Sequence, residues 1–342
     1  MELSVMRSPQ PVPAAPLRDA SAAIEAVTVE PRDGEMHLDL EVALPPELQT
    51  YAGVRVCAVG NAAGPVIVAL GGISGNRFVC RRPGGGAGWW PGLVGTGRAI
   101  DPARHLVVGL DFAADRTGQR APSTEEQAQV LRAALDAIGV ARADAIVGAS
   151  YGGMVALAFA QLFAERVGKL VVISGGAEPH PAATAARELQ RRVVGLGLET
   201  GRGDEALAIA RGMAMLTYRT SEEFGERFSG GIDEASPLTA SAPGGYLRRR
   251  GRDFIEVMSP ERFLSLSASI DRHAADPNKI SCPALLIGAT TDQLVPPAQM
   301  KSLAASLAGP AELHLRPCLY GHDMFLKEAE AIGALIEPFL AR

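Results

Sequence analysis

One short segment has the composition of a serine nucleophile site. Gly148-Ala149-Ser150-Tyr151-Gly152 matches G-x-S-x-G and lies between an apolar run, ADAIVG, and a helix-like segment, GMVALAFAQLF. A tight strand-to-helix turn exposes the serine hydroxyl, and its glycines allow close approach of the chain. The helix N-terminus directs free N–H groups at a developing oxyanion. A simple Gly-Ser connection is the alternative, but the flanks agree with the motif, and we predict that Ser150 is a nucleophile.

A serine hydroxyl needs a general base, and the base needs an acid that orients it. With a nucleophile at this type of strand-to-helix turn, called a nucleophile elbow, the order along the chain is Ser, acid, His. Asp292 follows the apolar run ALLIGAT, and His322 lies in LYGHD, shortly after the strand-like ELHLRP. Both are predicted loop positions at the carboxyl ends of strands, so we expect both to converge on Ser150. For Asp292, a residue of an Asx-turn is the alternative.

The other histidines are weaker candidates for the base. His37 and His314 lie inside strand patterns, and His105 opens one. His180 and His273 fall in or beside a helical stretch. A structural or solvent-facing role is therefore expected for each of these five.

An oxyanion hole needs two backbone N–H groups. The first is expected from Tyr151, directly after the nucleophile, and the second from the loop that follows an early strand. That loop reads LGGISG, and its Ile73 is our candidate. The same glycines lack both the G-x-G-x-x-G spacing and the lysine of a phosphate-binding loop.

Short apolar runs alternate with segments of helical period, which predicts an α/β fold with a mostly parallel, doubly wound sheet. An alternating stretch near 37–44 and 54–59 predicts an antiparallel edge. Helical spacing behind Ser123 and Thr124 predicts a helix to about Ile138. The six runs that we interpret as buried strands are 66–70, 105–110, 143–148, 169–173, 284–287 and 312–315.

The domain organisation follows from where this alternation stops. A proline-rich opening predicts a loose arm over residues 1–34. Residues 35–175 and 280–342 are expected to form the α/β core. Residues 176–279 have helical patterning without convincing strands. We therefore predict a helical lid over the carboxyl ends of the strands, where open α/β sheets keep their sites.

Composition excludes several functional classes. The 342 residues are 47% hydrophobic and 21% charged, with a net charge of −5 and four scattered cysteines. No apolar stretch is long enough for a signal peptide or a membrane span. The sequence thus predicts a cytoplasmic protein with no metal site and no affinity for nucleic acid or membrane. The basic run of Arg248, Arg249, Arg250 and Arg252 is interpreted as a surface that faces solvent or the phosphates of CoA.

Beyond the triad, the chain resembles the homoserine O-acyltransferase family of α/β-hydrolase-fold enzymes over essentially all of residues 35–342. The blocks GWWPGLVGTGRAIDPARHLVV, GASYGGMVALAFA, ALAIARGMAMLTYRTSEEFGERF, GYLRRRGRDFIEVMSPERFLSLSASIDRHA and LYGHDMFL occur in that family's order. The resemblance implies the triad Ser150, Asp292 and His322, with Ile73 and Tyr151 at the oxyanion hole.

The resemblance also implies two groups that bind the zwitterionic acceptor. Arg191 falls on the arginine that binds the homoserine carboxylate, and Asp323 on the residue that receives the amino group. For Arg191 the alternatives are a solvated helix face or an inward-pointing Arg192. For Asp323 the alternative is a helix cap.

The implied reaction transfers an acyl group from acyl-CoA to L-homoserine through an acyl-Ser150 intermediate, a step of methionine biosynthesis. No permanently bound cofactor is expected, and we expect a homodimer through the lid. Tyr151 in place of methionine, a short DFAADRTGQRAPS loop and GGISGNRF resemble the succinyl-transferring branch. Arg77, Arg116 or Arg120 can then meet the extra carboxylate, although surface or CoA-phosphate contacts are the alternative.

Four other functions remain open at this point. They are a homoserine O-acetyltransferase, a serine O-acyltransferase, a carboxylester hydrolase and a catalytically inactive binding protein. The intact Ser, Asp and His argue against the last. Serine differs from homoserine by one methylene, which is worth only about 1–3 kcal/mol in a pocket.

Overall fold

The computed structural model describes residues 35–51, 53–80, 86–228 and 241–342. The predicted N-terminal arm, residues 1–34, lies outside the described residues. The strands are β1 (Glu35–Glu41), β2 (Arg55–Asn61), β3 (Val66–Leu70), β4 (Leu106–Leu110), β5 (Ala143–Ala149), β6 (Val167–Ile173), β7 (Ala284–Ala289) and β8 (Ala311–Arg316). The helices are α1 (Thr124–Ala137), α2 (Tyr151–Leu162), α3 (Pro181–Glu199), α4 (Gly203–Tyr218), α5 (Ser221–Arg227), α6 (Ala242–Ile255), α7 (Pro260–Asp271), α8 (Pro297–Ser306), α9 (Met324–Lys327) and α10 (Ala329–Ala341).

Eight strands form one sheet in the order β1-β2-β4-β3-β5-β6-β7-β8. β2 is antiparallel to both β1 and β4, and all the other neighbours are parallel. The predicted α/β, doubly wound fold with an antiparallel edge is therefore confirmed. The central strands β3, β4 and β7 are apolar throughout because alternate residues are buried on opposite faces. Val68 and Leu70 pack on one face, while Ile67 and Ala69 pack on the other.

Local signals set several boundaries. Ser123 and Glu126 form the capping box that starts α1, as the sequence predicts. Helices α1, α2 and α8 contribute to the apolar cluster on one face, and α10 contributes to the cluster on the other.

Five helices, α3 to α7, lie between β6 and β7, and no strand interrupts them among the residues described there. None of the described helices has the length and apolarity to span a membrane.

Candidate active site

The nucleophile elbow is a strained turn between β5 and α2. Ser150 has φ 55° and ψ −120°, a backbone conformation that residues other than glycine adopt only at a cost in free energy. A Cβ at Gly152 would lie 2.4 Å from the Leu70 carbonyl oxygen, and one at Gly148 would lie 2.3 Å from the Gly152 oxygen. Only glycine therefore fits at these two positions, and the turn holds the Ser150 hydroxyl clear of the backbone.

The three sequence-predicted residues are connected by hydrogen bonds. The Nε2 atom of His322 lies 2.8 Å from Ser150 Oγ, and its Nδ1 atom lies 2.8 Å from Asp292 Oδ2. Because a carboxylate only accepts, Nδ1 carries the proton and Nε2 is left to accept from the serine hydroxyl. The geometry is that of a nucleophile, a general base and an orienting acid.

Asp292 also makes the Asx-type contacts that the sequence left as an alternative. Its Oδ1 atom accepts from the N–H groups of Leu294 at 2.9 Å and Val295 at 3.0 Å. These bonds fix the carboxylate so that Oδ2 faces His322. The turn and the orientation of the imidazole are thus two uses of one side chain.

The electrostatics of His322 suit a base. Burial alone lowers the pKa of its imidazole, but the charge of Asp292, the hydrogen bond to Asp292 and the charge of Asp323 together raise that pKa above its ordinary value. Both carboxylates thus favour the protonated form of the imidazole, which is the form that a general base reaches when it accepts a proton.

The two predicted oxyanion donors lie beside Ser150. Tyr151 is the first residue of α2, so its N–H group has no acceptor within the helix. Ile73 lies in a turn closed by a hydrogen bond of 2.7 Å from Gly75 N–H to the Gly72 carbonyl. Ile73 and Ser150 line the same cavity. Both positions are compatible with an oxyanion hole, and their role stays a prediction.

The Tyr151 side chain is directed away from the cavities that contain Ser150. It is 1% exposed, its ring packs edge-on against Phe112 at 4.8 Å, and its hydroxyl lies 2.5 Å from Ser269 Oγ on α7. The Tyr151 side chain therefore helps to pack α7 against the turn at Ser150, and it does not line the cavities at Ser150.

Two cavities of about 190 and 40 Å³ meet at Ser150 and His322. Helices between β6 and β7 contribute to the walls of both, since Tyr218 of α4 and Ile270 of α7 line each of them. Arg211, also on α4, lines the larger cavity. Sequence reasoning missed the α4 residues because nothing in the helix pattern shows which face is turned to the core.

The predicted carboxylate-binding arginine has a close neighbour. Arg191 donates to Asp271 Oδ2 at 2.7 Å and to the Ser267 carbonyl oxygen at 3.1 Å, and it does not line the two cavities. Arg187, one turn earlier on α3, lines the smaller cavity and donates to Asp271 Oδ1 at 2.6 Å. Arg192 is exposed, so it does not point inward. Two guanidinium groups therefore share one carboxylate.

Asp323 lines the larger cavity, where it is held by a buried arginine. Arg219 Nε lies 2.6 Å from Asp323 Oδ2, and Arg219 NH1 lies 3.3 Å from Glu223 Oε1. Although Asp323 precedes α9, its side chain makes no capping hydrogen bond. The helix-cap alternative is therefore wrong for the side chain.

Two other histidines have defined environments. His180 caps α3 by accepting from Ala182 N–H at 3.3 Å, and it also lines the smaller cavity. His273 is buried between the start of α1 and the Gly176 carbonyl, and burial lowers its pKa to about 4. Among the described residues, no cluster of three His, Cys, Asp or Glu side chains has metal-binding geometry.

The sheet topology together with a hydrogen-bonded Ser–His–Asp series at a strand-to-helix elbow defines an α/β-hydrolase-type protein. Residues 65–329 match a family model described as alpha/beta hydrolase fold. A homoserine O-succinyltransferase of Xanthomonas campestris pv. campestris is 39% identical over 291 residues, covering 84% of this chain and 78% of that protein.

A second relative supports the family, and a solved structure supports the fold. A homoserine O-acetyltransferase of Thermus thermophilus is 31% identical over 287 residues, covering 75% of this chain and 73% of that protein. The crystal structure of a homoserine O-acetyltransferase from Bacillus anthracis matches with a TM-score of 0.77 and 15% identity, over 90% of this chain and 97% of that chain. The chain belongs to the homoserine O-acyltransferase family of α/β-hydrolase-fold enzymes, and it is an acyltransferase.

Proposed function

We propose that this protein transfers an acyl group from acyl-CoA to the hydroxyl of L-homoserine, with succinyl-CoA as the preferred donor. The observation that carries the proposal is the series Ser150–His322–Asp292, with both hydrogen bonds at 2.8 Å, beneath a helical lid in a chain of this family. The lid matters because water must be kept from an acyl-enzyme that waits for a second substrate.

In the first half-reaction, His322 Nε2 takes the proton of Ser150 while Oγ attacks the thioester carbonyl. The N–H groups of Ile73 and Tyr151 stabilise the oxyanion of the tetrahedral intermediate. The carbon–sulfur bond then breaks, and His322 returns the proton to the departing thiolate. The product of this step is acyl-Ser150 and free CoA.

In the second half-reaction, His322 deprotonates the homoserine hydroxyl, and the hydroxyl oxygen attacks the carbonyl carbon of acyl-Ser150. The bond from that carbon to Ser150 Oγ then breaks, His322 returns the proton to Oγ, and the O-acyl ester leaves. The acceptor carries one carboxylate and one ammonium. The cluster of Arg187, Arg191 and Asp271 keeps one net positive charge for the carboxylate, with Arg187 nearest the cavity. Asp323 supplies the negative charge for the ammonium.

Succinyl-CoA is favoured as the donor for two reasons. The relative from Xanthomonas campestris, at 39% identity, is a succinyltransferase, whereas the relative from Thermus thermophilus, at 31%, is an acetyltransferase. In addition, the GGISGNRF segment and the short loop after β4 resemble the succinyl-transferring branch. A Ser–His–Asp series does not by itself distinguish succinyl from acetyl donors, so the acyl preference must come from residues around it.

A homodimer through the lid is part of the proposal. Four large apolar side chains are about half or more exposed on two neighbouring lid helices: Leu189 (54%) and Leu196 (64%) on α3, and Ile209 (53%) and Leu216 (54%) on α4. In each helix the two residues are seven apart, so they lie on one face. An exposed apolar stripe of this kind is typical of a subunit contact.

Trapping the intermediate tests the proposed mechanism. Incubation with succinyl-CoA in the absence of acceptor should add one succinyl group to the intact protein, and peptide mapping should locate it on Ser150. Ser150→Ala should remain unmodified and lose about 10⁵-fold or more in activity. A stable acyl group on another residue, or an unmodified wild-type protein that still forms product, would contradict the mechanism.

A further inference from the structure

A separate cavity lies on the other side of the predicted oxyanion turn. It has a volume of about 270 Å³, and Ile73, Ser74 and Gly75 line both it and the larger of the two cavities at Ser150. Arg116 and Arg262 are among the residues that line the rest of this cavity. A donor whose thioester lies at Ser150 and Ile73 therefore has a neighbouring cavity with two guanidinium groups within its walls.

Arg262 is in an unfavourable electrostatic position for a cation. It lies in the first turn of α7, whose N-terminal end carries the positive pole of the helix dipole. The side chain is half-buried, and its desolvation lowers the pKa of the guanidinium. Its NH2 donates to the Phe112 carbonyl oxygen at 3.0 Å, and no carboxylate of the described residues lies within ion-pair distance of it. An anion in the cavity would relieve each of these costs.

The carboxylate that lines the same cavity is already paired. Asp111 accepts from Arg77 NH1 at 2.8 Å and from the Arg77 backbone N–H at 3.0 Å. Arg77 in turn contacts Asp39 at 2.9 Å. The charge of Asp111 also acts to raise the pKa of Arg262, but it does not offset the desolvation. Among the three arginines considered from the sequence, Arg116 is the one that lines the cavity. Arg262, which no sequence motif marks, is its partner there.

We propose that this cavity binds an anionic oxygen group of the acyl donor, recognised by Arg262 and Arg116. The inference rests on the proposed acyl-CoA reaction. The acyl donor has two sources of such a group, which are the distal carboxylate of a dicarboxylic acyl chain and the phosphates of CoA. Both present oxygens that a guanidinium binds through two parallel N–H donors.

A comparison of four donors separates these sources. They are succinyl-CoA, acetyl-CoA and the two corresponding thioesters of N-acetylcysteamine, which lack the phosphates. Each donor is assayed with homoserine on the wild type and on the variants Arg262→Gln and Arg116→Gln. The matched control is Lys301→Gln, which removes an exposed cation of α8. The glutamine amide at 262 retains a donor for the Phe112 carbonyl, and Arg116 is itself exposed, so thermal unfolding should stay close to wild type.

The expected result is a selective fall in kcat/KM of about 10- to 100-fold. This is the change expected when one hydrogen bond to a charged group is lost. A fall confined to both succinyl donors assigns the acyl carboxylate to the cavity. A fall confined to both CoA donors assigns a phosphate. Equal changes for all four donors, or no change in either variant, would overturn the inference.

Direct binding keeps this test independent of turnover. Calorimetry with CoA and with succinate should show that Arg262→Gln weakens one of the two ligands about 10-fold or more, while Lys301→Gln leaves both unchanged. Unchanged binding of both ligands by Arg262→Gln would overturn the inference even in a protein that transfers no acyl group. A wild-type protein that binds but releases no thiol would instead contradict the proposed function.

Discussion

At the scale of single residues, Asp292 shows how one side chain serves both the backbone and the chemistry. Its Oδ1 atom closes a turn with Leu294 and Val295, and its Oδ2 atom orients His322. The turn thereby converts a flexible carboxylate into a rigid one. Rigid orientation is what a general base requires, because the wrong imidazole tautomer presents a proton rather than a lone pair to the serine.

Asp292→Asn should change both the rate and its pH dependence. The amide holds the imidazole in the wrong tautomer, so kcat should fall about 10⁴-fold. Loss of the Asp292 charge also removes a contribution that raises the pKa of His322. The base form of the imidazole then survives to lower pH, and the acid limb of the kcat/KM profile should shift to lower pH. A pH profile measured from pH 5 to 9 checks this, and an unmoved limb would contradict His322 as the base.

Part of the site was predictable because its members lie in short motifs beside strands. Ser150, Asp292 and His322 each follow an apolar run, and the carboxyl ends of parallel strands meet at one edge of a sheet. Arg187 and Arg219 were not predictable in this way. Their partners Asp271 and Asp323 lie 84 and 104 residues further along the chain, so the pairing depends on how the lid packs.

At the scale of elements, His273 connects three parts of the fold. One ring nitrogen accepts from the Thr124 hydroxyl at the start of α1, at 2.8 Å, and the other donates to the Gly176 carbonyl at 3.1 Å. The residue itself follows the end of α7. A neutral imidazole therefore joins the end of α7 to the start of α1 and to the segment after β6. The sequence pattern placed it beside the lid but did not show that it is buried.

His273 should make the free energy of unfolding depend on pH. Its pKa in the folded state is about 4, below the ordinary value of 6.5, so the unfolded chain binds more protons between these values. Stability is then fully present above about pH 6.5 and is lost as the pH falls towards 4. The contribution at pH 5 is about 2 kcal/mol below that at pH 7.5.

Urea unfolding at pH 5 and pH 7.5 measures this contribution by comparison with His273→Gln, which cannot titrate. The variant should be less stable at pH 7.5, where it lacks the buried imidazole, but its stability should fall less between pH 7.5 and pH 5. Other titrating groups cancel in the difference between the two proteins. Equal pH dependence in both would show that folding does not lower the pKa of His273, and it would contradict the prediction.

The strands were more predictable than the lid. Continuous apolar runs such as β5 and β7 are buried on both faces, and they have few other structural uses. The lid helices are amphipathic, and their pattern predicts that they exist without showing which core element each one covers. Tyr151 illustrates this, since its contact with Ser269 of α7 joins residues 118 positions apart.

At the scale of the whole molecule, the exposed apolar face of α3 and α4 determines the expected assembly. Leu189→Glu and Leu216→Glu each place a charge where the proposed contact is apolar, which should dissociate the dimer into folded monomers. Leu162→Glu, at the end of α2 in the core domain, is the control at a site of 38% exposure. Sedimentation velocity measures the outcome, and a wild-type monomer at micromolar concentration would contradict the dimer.

The most direct test of the central claim is thiol release from succinyl-CoA and from acetyl-CoA, each with and without L-homoserine. We predict release that depends on homoserine, with a larger kcat/KM for succinyl-CoA, because the proposed acyl-enzyme turns over only when the acceptor arrives. L-serine in place of homoserine should be a poorer acceptor. Release that is equally fast without homoserine would indicate a hydrolase, and a lack of response to homoserine with both donors would contradict the proposed function.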